Sequence, residues 1–133
     1  MILSREHLKQ IIDHSYAAFP YEGCGLAGGK DNVVSVIIPV PNASLTPLNA
    51  FEMERQAMVD AVVGLQRADL DVVAIYHSHP HGRAIPSERD IAEATWPDAV
   101  YLIVGLVEGE DPEVRGWHIR YGQAVETELV VAD

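Results

Sequence analysis

Cysteine is nearly absent. Cys24 stands alone, so no disulfide can form within the chain. Long apolar runs are missing too, and nothing approaches the ~20 consecutive apolar residues that span a bilayer. The opening residues, Met1 to His7, lack a basic region followed by an apolar run, so no secretory signal is expected. Cationic residues are scarce: 9 Lys and Arg face 20 Asp and Glu, a formal net charge of −11 with histidines neutral. That balance argues against the clustered positive surface on which non-specific nucleic-acid binding depends. Neither a nucleic acid nor a membrane is expected as a partner, and a cytoplasmic setting is the simplest expectation. Several enzyme signatures are also missing. Gly23, Gly25, Gly28 and Gly29 are not followed by the Gly-Lys-Ser/Thr of a phosphate loop. No Gly-x-Ser-x-Gly marks a serine hydrolase, and one cysteine cannot supply the Pro-Cys-x-x-Cys of a zinc deaminase.

What remains is an ordinary globular composition, 48% apolar and 22% charged over 133 residues. A chain of this length suggests one domain, 1–133, burying roughly 70% of its unfolded surface. Ser4 to Phe19 reads as an amphipathic helix with Ser4 as N-cap and Leu8, Ile11, Ile12 and Ser15 at helical spacing, ended by Pro20. The Gly-rich stretch Glu22 to Gly29 can begin as a short strand and end in a turn. Val33 to Val40 is β-branched and apolar, a buried strand. After a loop from Pro41 to Asn49, Phe51 to Arg67 reads as a second helix. Asp71 to Tyr76 has the nearly continuous apolar pattern of a central strand covered on both faces. His81 to Pro86 is a loop, Ser87 to Thr95 a short helix and Ala99 to Val107 another buried strand. Gly109 to Pro112 looks like a turn, and Val114 to Tyr121 with Ala124 to Val131 like a closing hairpin. The sum is an α/β fold: a mixed central β-sheet with helices packed on it.

The residues that carry chemistry begin where the central strand ends. His77-Ser78-His79-Pro80 places two imidazoles two residues apart, and Asp90 follows the second by eleven. Alternate residues of an extended chain share a face, so both rings can meet one ion if the strand persists through His79. Catalytic zinc sites typically take three protein ligands and leave a fourth position for water. A strand end in an α/β sheet suits such a site, because the loops diverge there. Ser87-Glu88-Arg89-Asp90 also has a plainer reading, a helix start with Ser87 as N-cap and Asp90 at N3. The two readings are compatible, since capping need use only one lone pair of Ser87.

These residues resemble the motif of the JAMM, or MPN+, zinc metalloprotease family. His77-Ser78-His79 is followed by seven residues, Pro80 to Pro86, then Ser87, two residues and Asp90. Glu22, in Pro20-Tyr21-Glu22-Gly23-Cys24, matches the family's separate upstream glutamate. The resemblance implies a cytidine-deaminase-like MPN domain over nearly the whole chain. It implies Zn2+ bound by His77, His79 and Asp90, a water held by Glu22 as general acid/base, and an oxyanion stabilised by Ser87. It also implies cleavage after the C-terminal Gly-Gly of ubiquitin-like proteins. The compact chain is most similar to small bacterial members acting on ubiquitin-like sulfur-carrier proteins, one of which releases cysteine. Alternatives are an isopeptidase acting on other ubiquitin-like conjugates, and a non-catalytic partner-binding scaffold, although such scaffolds typically lack part of the metal set. Cys24 and His81 lie close to these residues in sequence. Either could contribute to the site, with burial and solvation as their plainer readings. Trp96 and Trp117 are expected to pack.

Overall fold

The computed structural model describes residues 1–133. In chain order its elements are β1 (Ile2–Ser4), α1 (Arg5–Ala18), β2 (Cys24–Lys30), β3 (Val33–Val40), α2 (Arg55–Arg67), β4 (Asp71–His79), α3 (Glu88–Glu93), β5 (Val100–Gly105), β6 (Glu113–Arg120), β7 (Gln123–Thr127) and β8 (Val130–Ala132). All eight strands join one sheet in the order β7-β6-β5-β4-β2-β3-β1-β8. The sheet is mixed: β4 runs parallel to β5 and antiparallel to β2. The most apolar strands take the middle, and every residue of β5 is buried.

Alternation along the central strands separates the core into two faces. Ala74 and Tyr76 pack with Leu102, Val104 and Ile11 on the face covered by α1. Ile75 and Tyr101 pack with Leu26, Ala61 and Val62 on the face covered by α2, which α3 joins through Ile91. Ser4 caps α1 as its sequence suggests, its hydroxyl accepting the His7 N–H at 3.0 Å. No helix is long and apolar enough to cross a membrane.

Four expectations need correction. The Gly-rich stretch does not end in a turn: β2 continues through Gly29, and Asp31 and Asn32, at φ 50° and 67°, make the turn instead. Gly29 sits at a bulge where the backbones of β2 and β3 close tightly, and a Cβ there would lie 1.9 Å from the Val33 carbonyl oxygen. The second helix begins at Arg55, with the Glu54 carboxylate as cap, and leaves Phe51 outside it. The central strand does not stop at Tyr76 but runs through His79. The chain's end is not one strand from Ala124 to Val131. It breaks after Thr127, and β8 crosses to the opposite edge to pair in parallel with β1. Nothing local predicts that pairing, because both strands are three residues long and meet from opposite chain ends.

Gly29→Ala is expected to destabilise the protein by more than about 2 kcal/mol, because the obstructing atom is backbone and cannot swing aside. Urea unfolding measures this, and a change below about 0.5 kcal/mol would mean the bulge relaxes freely.

Candidate metal centre and active site

Because β4 stays extended, His77 and His79 project to the same face as Ile75, toward α2 and α3. His77 is fully buried, its ring stacked on Phe51 at 4.4 Å between centroids. His79 Nδ1 lies 2.8 Å from the Arg83 carbonyl oxygen. A carbonyl can only accept, so Nδ1 carries the proton and, in the neutral ring, Nε2 presents its lone pair. Gly105 pairs with His79 across β4 and β5 and makes this contact possible. A Cβ at Gly105 would come within 2.6 Å of the Ala84 nitrogen and push the Arg83 turn away.

Asp90 reaches the strand end through the start of α3. Ser87 Oγ accepts the Asp90 N–H and Asp90 Oδ2 accepts the Ser87 N–H, each at 3.0 Å, a reciprocal capping box. The plainer reading of this segment therefore holds. The same Oδ2 also lies 3.0 Å from Nε2 of both histidines, whose Nε2 atoms are 3.1 Å apart. Ligands set 2.0–2.1 Å from an ion at tetrahedral corners would lie roughly 3.3 Å apart, so the three atoms need only a small expansion. Two imidazole nitrogens and a carboxylate oxygen converging this closely suit a proton or a metal cation among them. His77, His79 and Asp90 could together hold a metal ion.

Electrostatics agrees with that convergence. Burial lowers the His77 pKa, although Asp90 opposes it. Burial also pulls His79 down, but Asp90 and the Arg83 carbonyl outweigh it and the net shift is upward. Burial pushes Asp90 up, and hydrogen bonds from the two imidazoles, when their Nε2 atoms carry protons, overcome this to hold its carboxyl far below the usual range.

Glu22 lies just before β2 and is 6% exposed, with Oε1 buried and without a hydrogen-bond partner. Burial, reinforced by the Asp90 charge, pushes its pKa up to about 7 from 4.5, while His79 and Arg89 pull the other way. Its neighbour Gly23 is fastened to the central strand. The Gly23 N–H donates to Ser78 Oγ at 2.8 Å, and the Ser78 N–H donates to the Gly23 carbonyl at 3.0 Å. Ser78 points away from the two histidines, toward α1, and is fully buried. The sequence places Ser78 between the histidines but suggests no task for it.

Cys24 and His81 are not members of the His77, His79 and Asp90 cluster. Cys24 is fully buried and donates to the Val40 carbonyl at 3.3 Å, and burial, with the Glu22 charge, pushes its thiol up to about 12. Such a thiol is inert at neutral pH. His81 is exposed and packs edge-on against Phe19. A groove of about 500 Å³ on the α2 and α3 side is lined by Phe51, Met53, Met58, Ile75, Trp96 and Tyr101, among others. Trp96, expected to pack, does so and also lines this groove.

A mixed sheet carrying a His-His-Asp triad at a strand end, beside a buried carboxylate, defines an MPN-type metallopeptidase, a hydrolase. The family of prokaryotic homologs of the JAB domain matches residues 4–120, and the chain belongs to it. It is 41% identical over 125 residues to a probable TtuB-protein conjugate cleaving protease of Thermus thermophilus, covering 94% of this chain and 80% of that one. It is 27% identical over 135 residues to the CysO-cysteine peptidase of Mycobacterium tuberculosis, covering 100% of this chain and 92% of that one. A JAB1/MPN domain protein from Archaeoglobus fulgidus superposes with a TM-score of 0.70 at 25% identity, with 100% of both chains covered.

A raised carboxyl pKa favours the neutral form, so in the metal-free protein Glu22 contributes stability below about pH 4.5 that is lost as pH rises through about 7. Metal-free Glu22→Gln is therefore expected to gain on the wild type across that interval, by about 2–3 kcal/mol at pH 8. Thermal denaturation at pH 4.5 and 8 checks this, and a pH-independent difference would contradict it.

Proposed function

We propose that the chain is a zinc-dependent peptidase that hydrolyses the peptide or isopeptide bond after the C-terminal Gly-Gly of a ubiquitin-like sulfur-carrier protein, with residues 1–133 acting as one domain. The observation that carries this reading is the convergence of three lone-pair donors, His77, His79 and Asp90, within 3.1 Å of one another, together with a buried, unpartnered carboxylate, Glu22, that feels the charge of His79 and Asp90. The names of the relatives supply the substrate class, cleavage of a protein conjugate and of a carrier–cysteine adduct. A cytoplasmic setting suits a chain with one buried cysteine.

In this reading His77, His79 and Asp90 hold the zinc ion, which supplies Lewis acidity toward the attacking water and the scissile carbonyl. Glu22 takes a proton from that water and returns it to the leaving nitrogen, so the amide bond breaks into an acid and an amine with protons balanced. Its raised pKa suits both halves of the task, and a nearby cation would draw it down toward the ionised form. Ser87 spends one lone pair on the Asp90 N–H and keeps its own O–H free to donate to the developing oxyanion. The groove beginning at Phe51, lined by apolar side chains and by charged ones such as Glu52 and Arg89, receives the carrier's tail, and two glycines let that tail's backbone approach a recessed base closely.

The test is intact-mass analysis of a sulfur carrier ending in Gly-Gly-Cys, and of a lysine-linked conjugate, each incubated with zinc-loaded protein with and without chelator. Loss of one cysteine or of the linked protein, blocked by chelator, is the expected result. Glu22→Gln should retain zinc and lose about 100-fold or more in turnover. Asp90→Asn, which can still cap α3, should lower zinc occupancy. Turnover of Glu22→Gln within twofold of wild type would remove Glu22 from the chemistry.

A further inference from the structure

Asn42 lies just past β3, within a loop that the sequence marks only as a turn region. Its carboxamide has two N–H donors and a carbonyl oxygen with two lone pairs. All four are used, and every partner is backbone. Nδ2 donates to the carbonyls of Glu22 at 2.9 Å and Ala50 at 3.0 Å. Oδ1 accepts the N–H groups of Ser44 and Glu52, each at 3.0 Å. The side chain thus draws the loop from Asn42 to Glu52 into a closed arc, and a bridge between Asn42 and Met53 seals its base.

Glu22 hangs from this arc. Its carbonyl is held by Asn42, and its N–H donates to the carbonyl of Pro47, in the same arc, at 2.8 Å. Phe51, also in the arc, stacks on His77. The Glu22 carboxylate has a buried oxygen, Oε1, with no hydrogen bond of its own, so its placement depends on backbone anchoring and packing. Asn42 serves two ends at once. Its donors hold the backbone of the proposed base, and its acceptor holds Ser44 and Glu52, which line the groove.

We propose that Asn42 is a positioning residue for Glu22, and that its amide donors, rather than its acceptor, carry this role. The inference rests on the reading of Glu22 as the base. Displacing a reacting group by about 1 Å can cost on the order of 100-fold in rate, so loss of the anchor should appear in kcat.

Two variants separate the halves of the side chain. Asn42→Asp keeps acceptors for Ser44 and Glu52 but turns oxygen toward the carbonyls of Glu22 and Ala50. It is expected to lower kcat about tenfold or more, with KM within about twofold and zinc content unchanged. Asn42→Ala removes both halves and is expected to lower kcat comparably and also raise KM severalfold. Wild-type kcat in Asn42→Asp would overturn the proposal. So would a loss of zinc that tracks the loss of kcat, since that would mark general collapse. If the wild type cleaves neither conjugate, the peptidase reading has failed, and amide hydrogen exchange on the zinc-loaded protein decides the Asn42 question separately. Exchange at the Glu22 amide at least about tenfold faster in Asn42→Asp, with β5 amides unchanged, supports the anchor. Unchanged Glu22 exchange overturns it.

Discussion

An extended strand sends successive side chains to opposite faces, and at the end of β4 that alternation sorts three residues into two tasks. His77 and His79 turn toward α2 and α3, where Asp90 meets them. Ser78 turns toward α1 and fastens Gly23, the neighbour of Glu22, by two hydrogen bonds. One run of three residues thus fixes the imidazoles and the segment carrying the buried carboxylate. If the strand ended at Tyr76, the rings would lose their shared face and the Glu22 segment would lose its tether. Pairing with β2 as far as His77, and with β5 as far as His79, keeps the chain extended.

The second determinant is the double use of Asp90. Its Oδ2 closes the capping box of α3 and faces the two imidazoles with the same atom. Capping orients the carboxylate before any ion arrives, which lowers the ordering cost of binding one. His79 is oriented in a similar way by the Arg83 carbonyl, and the close approach of that turn depends on Gly105. What such a preformed arrangement costs is desolvation. His77 and Asp90 sit in the interior, and Glu22 is held near neutrality by burial. Sites that break the rule against buried, unpartnered polar atoms are commonly functional ones.

Much of this was legible in the sequence, because much of it is local. The spacing from His77 through Ser87 to Asp90 spans one strand end, one loop and one helix start, and each has a recognisable signature. The capping reading of Ser87 and Asp90 and the ligand reading of Asp90 could be drawn together, since one Asp90 oxygen closes the capping box and faces both imidazoles. Glu22 was different. It lies 55 residues before His77, and only resemblance to a family motif singled it out. The contacts no sequence pattern announced are those between distant segments: Ser78 with Gly23, Phe51 with His77, and Asn42 with Glu22. Phe51 was hidden for a further reason. It directly precedes a helical pattern and reads as its first residue, whereas the cap at Glu54 shortens the helix and frees the ring to stack. The parallel pairing of β1 with β8 joins the two ends of the chain and leaves no local trace in either.

The most direct test of the account is X-ray absorption at the zinc edge on protein loaded with one equivalent of zinc. The account predicts a shell of nitrogen and oxygen near 2.0–2.1 Å, including two imidazoles and no sulfur. The imidazole signal should fall by half in His79→Ala. A zinc–sulfur distance near 2.3 Å would contradict it, because it would bring in Cys24, the chain's single thiol, which pairs with His77 across β2 and β4.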